Sequence, residues 1–546
     1  MNHKILSNKL NEETKLLIDK VELMEKEINK KDKALSLKEK EIQELKNEIE
    51  YLKSVISNRN KKIFGKSSEQ VDANQLSLFN EAEKFSDSKV EEPTLEEITY
   101  KRAKKSNYTG KKDNIANLER VVIEHKLKGN ELNCQKCGAE LVEIGVKSRK
   151  EIIKYIPAKL IVEEHVIYSY ACKACEKETG ISNIISTEMP RTIFYNSMAS
   201  NELIAHTIVL KYHHALPLYR QEAYFDMMGV TLSRQTLCNW TMSAADALIP
   251  IYNHMKKELL NRNYIHADET TLKVINDNGK DSKSKKYMWL YLSNTDFKPV
   301  ILYDYQSTRS SSCPKNFLGD YHGFLQTDGY NGYNSVSGAT RLYCLAHIRR
   351  YFYDIVSNLD EEALKNSKAI IGFNYCTQIY KLEKELREAY SSDDNYYNIR
   401  FNIRKEKLTP IIDAFIEYVE REIKDALPRS PLGKALEYAK KHLPGLKNVL
   451  LDGCLEVDNN AAEREIKPFV IGRKNFLFAN TAKGATASAN IYSIVETAKA
   501  NNLVIERYLT YLFDNLSKID ISDSEAIENL MPWSNKIPED MKIKDK

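Results

Sequence analysis

Two Cys-x-x-Cys pairs, Cys134-Gln-Lys-Cys137 and Cys172-Lys-Ala-Cys175, constrain this chain more than any other feature it carries. Each pair clasps one side of a tetrahedral ion, so four thiolates close a structural Zn2+ site and leave no position open for chemistry. A redox dithiol needs only one pair, and no thioredoxin-like βαβ pattern surrounds either. The other five of the nine cysteines, Cys238, Cys313, Cys344, Cys376 and Cys454, are scattered. In a cytosolic chain this usage predicts metal binding rather than disulfides.

A second constraint lies upstream. Val21, Ile28, Leu35, Ile42, Ile49 and Ile56 recur every seven residues in a Lys/Glu-rich stretch free of Gly and Pro. The companion seam position holds Leu17, Met24, Leu45 and Leu52, with Lys31 and Lys38 interrupting it. A narrow apolar stripe with charged flanks predicts a coiled coil over 16–58, and hence a homo-oligomer, rather than a helix packed on its own protein.

At 546 residues the chain is long enough for three or four domains. Its 29% charged and 42% apolar content fits a multidomain globular protein with some polar segments. No apolar run approaches the roughly 20 residues that a membrane-spanning helix needs, and the start, MNHKILSNKLNEE, carries no apolar leader. A cytoplasmic location without membrane contact is the expectation. The net charge of +4 is small for this length, so any nucleic-acid argument must come from local clusters. One is Lys101, Arg102, Lys104, Lys105, Lys111 and Lys112, in a polar segment read as a partly disordered linker over 59–113; alone it reads as a solvated face. The other is Lys467, Arg473, Lys474 and Lys483.

From Ser197 to about Arg262 the pattern is helical. LPLYRQEAYFDMMG, a Gly229-Val230-Thr231-Leu232 turn and a helix capped at Ser233 have helix-turn-helix form, with Arg234 and Gln235 at the start of the second helix as candidate DNA contacts. The period then changes. NYIHADETTLKV, KKYMWLYLS and KPVILYDYQS read as an antiparallel meander, followed by a short helix, a strand GFLQTDGY, and RLYCLAHIRRYFYDIV as a strand passing into a helix. That is a mixed sheet with helices. Between His347 and about Gly453 the chain is mostly helical, an insertion that leaves the sheet and returns.

Asp268 lies inside the first strand and Asp328 ends the fourth. A carboxylate within a strand is costly unless something positive satisfies it, and a pair on neighbouring strands suits a divalent cation. Glu463, in DNNAAEREIKP, has two readings. Asn460 and Glu463 make a capping-box pattern with Pro468 as a stop after barely two turns; alternatively Glu463 is the third acid of a metal site. Glu465, Asp458 and Glu496 compete for that third place less well, Glu465 because it points to a different helix face.

FGKSSEQ, CQKCGAEL with YIPAKLIVEEHVIYSYACKAC, HADET, QTDGYNGY, CLAHIRR, VDNNAAEREIKPFVIGRKNFLFA and IYSIVETAKANN occur in that order. Together they resemble the motifs of the insertion-sequence-66 family of transposases over about residues 60 to 512. Where that family carries a glycine-rich, arginine-bearing stretch, this chain reads AKGATASA, and Leu345 stands where it often has an aromatic residue. The resemblance implies a multidomain α+β protein whose catalytic core is ribonuclease-H-like, with an Asp, Asp, Glu triad at Asp268, Asp328 and Glu463. It implies two Mg2+ (or Mn2+) ions at that triad and strand cleavage and joining at the ends of a mobile element. It also implies DNA, both element ends and target, as partner, with accessory proteins of the same element. His347, Arg349, Arg350, Arg464, Lys467, Arg473 and Lys474 are the expected phosphate contacts near the triad. The expected layout is a zinc-binding domain at 114–190, a helical region at 197–262, a core at 263–358 and 454–512 interrupted by the insertion at 359–453, and a polar, frayed tail at 513–546. A catalytically inactive DNA-binding regulator and a nuclease that does not join strands remain the alternatives.

Overall fold

The computed structural model describes residues 20–21, 23–39, 122, 158–172, 183–188, 192–194, 197–277, 280–281, 285–293 and 298–543. The expected linker, Cys134, Cys137, Cys175, the basic cluster that begins at Lys101 and the heptad positions from Ile42 onward lie outside them. Residues 23–39 are helical, and Val21, Met24, Ile28 and Leu35 of the heptad stripe are exposed.

The chain divides into two compact units. In the one that holds 68–189, the described secondary structure is an antiparallel hairpin of β1 (Ser169–Cys172) and β2 (Asn183–Ser186), with Cys172 opposite Asn183.

The larger unit begins with helices. α1 (Asn201–Tyr212) starts at Ser200, whose hydroxyl accepts from Leu203 N at 3.4 Å. α2 (Leu218–Met227) is followed by α3 (Arg234–Ala247), where the Ser233 hydroxyl accepts from Thr236 N at 3.2 Å, the cap its sequence predicts. Gly229, at φ +86°, supplies the left-handed residue that the turn before α3 requires. α4 (Ile249–Leu260) leads into the sheet.

β3 (Tyr264–Leu272) is followed by a side hairpin, β4 (Val274–Asp277) and β5 (Lys280–Asp281), and then by β6 (Lys286–Ser293) and β7 (Val300–Gln306). α5 (Ser312–Leu318) precedes β8 (Phe324–Thr327), and β9 (Thr340–Tyr343) runs into α6 (Leu345–Val356). The five-stranded sheet has the order β7-β6-β3-β8-β9. β6 is antiparallel to β3 and β7, whereas β8 is parallel to β3 and β9. The central strands are buried on both faces: all of Tyr264 to Ala267 is buried, and the strand opens only at Asp268.

α7 (Glu361–Asn366), α8 (Lys368–Tyr390), α9 (Tyr396–Ile403), α10 (Thr409–Glu422) and α11 (Pro431–Leu446) form the helical insertion. Phe352 and Ile348 of α6, Ile379 of α8, Phe415 of α10 and Leu436 and Leu443 of α11 share one core with Tyr264 and Leu342 of the sheet. The insertion is therefore fused to the sheet by a common apolar interior. Arg400 and Arg404 are buried within it and both bind Glu383, with nitrogen to oxygen distances of 2.7 Å for each pair. Their remaining donors reach the carbonyls of Gly453, Val449 and Asp452, tying the segment that returns to the sheet.

α12 (Asn460–Phe476) packs on β3, and β10 (Ala479–Thr481) joins β4 in parallel. One sequence expectation changes here. Pro468 does not stop the helix; α12 continues to Phe476 because Ile466, Phe469 and Gly472 are buried under it, and their burial offsets the one helix bond that Pro468 cannot donate. AKGATASA is the first half of α13 (Ala482–Ala500), capped by Thr481, whose hydroxyl accepts from Gly484 N at 3.1 Å. α13 lies on the edge strand β7 and satisfies its outward backbone: Ile301 N donates to Thr497 Oγ1 at 3.0 Å, and Tyr303 N to Ser493 Oγ at 2.8 Å.

The tail is packed rather than frayed. Phe513 and Leu516 of α14 (Ile505–Leu516), Ile527 of α15 (Ser524–Glu528) and, beyond it, Leu530, Met531 and Ile537 are buried. These apolar residues are spaced too irregularly in sequence to announce a core.

Candidate metal centre and nucleic-acid interface

The register of β3 with β8 pairs His266 with Gln326. Two residues further along each strand stand Asp268 and Asp328, so parallel pairing carries both acids to the same end of the sheet. Asp268 Oδ1 accepts from Glu269 N at 2.8 Å, and Asp328 Oδ1 accepts from Tyr330 N at 2.9 Å. Arg341, on β9, holds the Asp328 turn, donating to Thr327 Oγ1 at 2.9 Å and to the carbonyl of Asp328 at 2.8 Å.

Glu463 arrives on the first turn of α12, and the position of that turn is set by Asn459. Its Nδ2 donates to the carbonyl of Ala267 at 2.9 Å, and its Oδ1 lies 3.0 Å from His266 Nδ1. Because Nδ2 is used as donor, Oδ1 is the acceptor and His266 carries its proton on Nδ1. Burial drops the His266 pKa to about 4, so the ring is neutral. From the other side, Asn459 N donates to Cys344 Sγ at 3.2 Å and Leu345 N to the carbonyl of Val457 at 2.9 Å. The start of α12 is thereby clamped to both β3 and α6.

The capping reading of Glu463 is not what the structure contains. Asp458 caps the turn instead, its carboxylate accepting from Asn460 N at 3.0 Å and Asn460 Nδ2 at 2.7 Å. Glu463 is left free of that duty, and its Oε1 is buried without a hydrogen-bond partner.

Asp268 shows what this convergence does electrostatically. Burial pushes its pKa well above the ordinary carboxylate range, and the charges of Glu269, Asp328 and Glu463 push it further. A desolvated Asp268 thus faces the charges of two acids from distant segments, the condition a divalent cation relieves. Oxygen donors on a strand, a strand end and a helix start fit a hard ion such as Mg2+.

Several residues here were not singled out in the sequence. Glu269 is buried, with Arg309 Nε at 2.7 Å and Tyr333 Oη at 2.5 Å. Arg309 also reaches Asp328 at 3.9 Å and lies over the Tyr330 ring. From the insertion, His442 lies between the Tyr343 and Tyr438 rings, tilted against both, and sits against Gly329. The adjacent acid in HADET was a usable signal for Glu269; nothing local marked Arg309 or His442.

The expected DNA contacts separate into groups. Arg464, Lys467 and Lys474 lie on the exposed side of α12, running away from Glu463. Arg473 is turned inward instead, donating to Thr270 Oγ1 at 3.2 Å and to the carbonyl of Thr271, where it fastens α12 to β3. His347 stands near Glu463, whereas Arg349 lies over the Phe373 ring at 4.5 Å and Arg350 is exposed. Arg234 and Gln235 are exposed at the start of α3; Arg234 pairs with Glu222 at 3.9 Å and Gln235 donates to Asn239 at 2.9 Å. Glu496 lies elsewhere, its carboxylate paired with Lys499 and its pKa raised by burial and also by the charge of Glu465, which places the Glu465 side chain beside it.

A mixed sheet that gathers three carboxylates beside a basic helix face, in a chain with paired cysteine knuckles, defines a multidomain α+β protein with a candidate divalent-metal centre. The chain belongs to the IS66 family of transposases, whose model matches residues 196–487. The zinc-finger binding domain of transposase IS66 matches 131–176, the IS66 C-terminal element 493–533, and a model described as transposase C of IS166 homeodomain 51–123. The chain is similar to two Sinorhizobium fredii proteins, uncharacterized protein y4jD and uncharacterized protein y4qI. It is 30% identical to the first over 76% of this chain and 79% of that one, and 29% identical to the second over 77% and 76%. Membership supports DNA binding and structural zinc. Among the described residues no helix is long and apolar enough to cross a membrane.

Proposed function

We propose that this protein is a DNA transposase that binds the ends of its mobile element and carries out Mg2+-dependent strand cleavage and strand transfer, with Asp268, Asp328 and Glu463 as the metal-holding triad. The observation that carries the reading is the buried Asp268 carboxylate, whose pKa is raised by desolvation and further by the charges of Asp328, from a strand end, and Glu463, from a helix far downstream. The strand order β7-β6-β3-β8-β9, in which β6 alone runs against the other four strands, supports a ribonuclease-H-like core. Asp268, Asp328 and Glu463 would hold the Mg2+ ions, which would supply activation of an attacking hydroxyl and stabilisation of the leaving oxygen.

The chain's own residues supply position and charge. Asn459 fixes the approach of Glu463 to Asp268, and Arg341 fixes the Asp328 turn. Arg464, Lys467 and Lys474 offer cations to a phosphate backbone along α12, and Arg309 offers one beside Asp328. Arg234 and Gln235 on α3 are the proposed contacts to the element end, and the cysteine knuckles hold structural zinc. The heptad stripe pairs protomers, as joining two DNA ends requires.

The test is strand transfer by the full chain on pre-cut element ends and target DNA with Mg2+. Joined product from wild type, and its loss in Asp268→Asn, Asp328→Asn and Glu463→Gln with DNA binding retained, is expected. Cleavage without joining would make the protein a nuclease, and activity retained in all three variants would remove the triad.

A further inference from the structure

We propose that Cys344, His347 and Glu463 form a second metal site, suited to a zinc-class ion, that shares Glu463 with the carboxylate triad. One ligand atom from each of the three lies within 4.8 Å of the other two. Two of these side chains carry uncommitted atoms: His347 Nδ1 and Glu463 Oε1 are buried and have no hydrogen-bond partner. Buried polar atoms are ordinarily satisfied, so two orphans on side chains that meet in one cluster mark a place where something binds.

The geometry is built in advance. Cys344 precedes α6 and His347 stands in its first turn, while Glu463 stands in the first turn of α12. The two helix starts are fastened by the bond from Asn459 N to Cys344 Sγ and by the bond from Leu345 N to Val457 O. Zinc bonds of about 2.0–2.3 Å place tetrahedral ligand atoms roughly 3.3–3.6 Å apart. Side-chain rotations of about 1 Å therefore close the site without moving either helix.

Ligand type sets the selectivity. Mg2+ takes oxygen and keeps its waters, whereas one thiolate, one imidazole and one carboxylate with a water in the fourth position suit zinc. On binding, the Cys344 S–H bond breaks, a sulfur–zinc bond forms, and the proton passes to water. An ion held here engages Glu463 and withdraws it from the triad, so zinc inhibits the Mg2+ reaction. This inhibition rests on the proposed transposase activity; the binding does not.

The test uses the full chain, first saturated with zinc so that the four-cysteine site is filled, then titrated calorimetrically with zinc chloride. Wild type takes up one further equivalent. Affinity falls at least about tenfold in His347→Gln and in Cys344→Ser, which keeps an acceptor for Asn459 N, and stays at the wild-type level in Asp268→Asn. Equal affinity in all four proteins, or an equal loss in Asp268→Asn, overturns the site. In a parallel cleavage assay, zinc inhibits wild type, and Cys344→Ser requires at least about tenfold more zinc for the same fractional inhibition. Zinc uptake without inhibition overturns the sharing of Glu463. Absence of any Mg2+-dependent cleavage sinks the transposase reading and leaves the calorimetry to decide the site.

Discussion

His266 and Asn459 stand 193 positions apart and meet at 3.0 Å beneath the acid cluster. Asn459 also holds the Ala267 carbonyl, so one amide fastens the helix bearing Glu463 to the strand bearing Asp268. Asn459→Ala removes both bonds and leaves buried partners unsatisfied, a loss of about 1–3 kcal/mol. Urea unfolding should show that loss. Strand cleavage should fall further, by about a hundredfold, because displacement of Glu463 by even an ångström misplaces the site. Cleavage at the wild-type rate in a destabilised protein would reduce Asn459 to a packing residue.

Gly329 is where the insertion meets the second acid. A Cβ at this position would stand 2.5 Å from Tyr438 Oη and 3.0 Å from His442 Nε2. Gly329→Ala should therefore push the Asp328 turn off α11 and cost about a hundredfold in cleavage. Removing the obstructing hydroxyl in Gly329→Ala/Tyr438→Phe should restore part of it. A double variant as poor as the single one would show that the steric contact is not the cause.

Asp268 gives the metal-free protein a distinctive pH response. Its folded-state pKa is raised, by burial first and then by the charges of Glu269, Asp328 and Glu463, so the folded form binds a proton more tightly than the unfolded chain. Stability contributed by this group is present at low pH and is lost as pH rises through the raised value. In chelator, Asp268→Asn should melt at a higher temperature than wild type near neutral pH, and the gap should close as pH falls toward about 4. Saturating Mg2+ should narrow the gap at neutral pH by relieving the repulsion. A pH-independent difference would exclude titration of Asp268 as its source.

The strand runs and helices were readable because β6 and β7 are continuous apolar segments and α1 and α3 open on Ser200 and Ser233, local signals that tertiary context leaves intact. The convergence of Asp268, Asp328 and Glu463 was not available from spacing, since 135 positions separate the last two; motif resemblance supplied it. The limits of local reading show at Pro468 and Asn459. Proline rules describe an isolated helix, and α12 survives its proline because the sheet-facing side is buried. Asn459 looked like one more polar residue beside Asn460, and only the fold reveals that it, and not the capping box, sets where Glu463 stands.

Glu383 anchors the insertion by receiving both Arg400 and Arg404 in a buried space. Burial raises its pKa, but the bonds and charges of Arg404 and Arg400 outweigh that and hold it below the ordinary value. Its contribution is therefore present above the unfolded carboxylate range and lost on acidification. Glu383→Gln strands two buried guanidinium groups and should destabilise the protein by about 3–5 kcal/mol, read from urea midpoints. An unchanged midpoint would mean that solvent already reaches the pair.

Ile28 and Leu35 are exposed one heptad apart on the helix that spans 23–39, with Val21 and Met24 beside them. If this stripe pairs protomers, Ile28→Lys/Leu35→Lys withdraws two aliphatic side chains per chain from the seam and puts charge in their place. Each is worth about 1.5–3 kcal/mol when buried, so the self-association constant should weaken by at least about two orders of magnitude. Sedimentation equilibrium on the full chain reads this directly, and the zinc content should not change, because the cysteine knuckles lie far along the sequence. A mass distribution identical to wild type would assign the stripe to contacts within one chain.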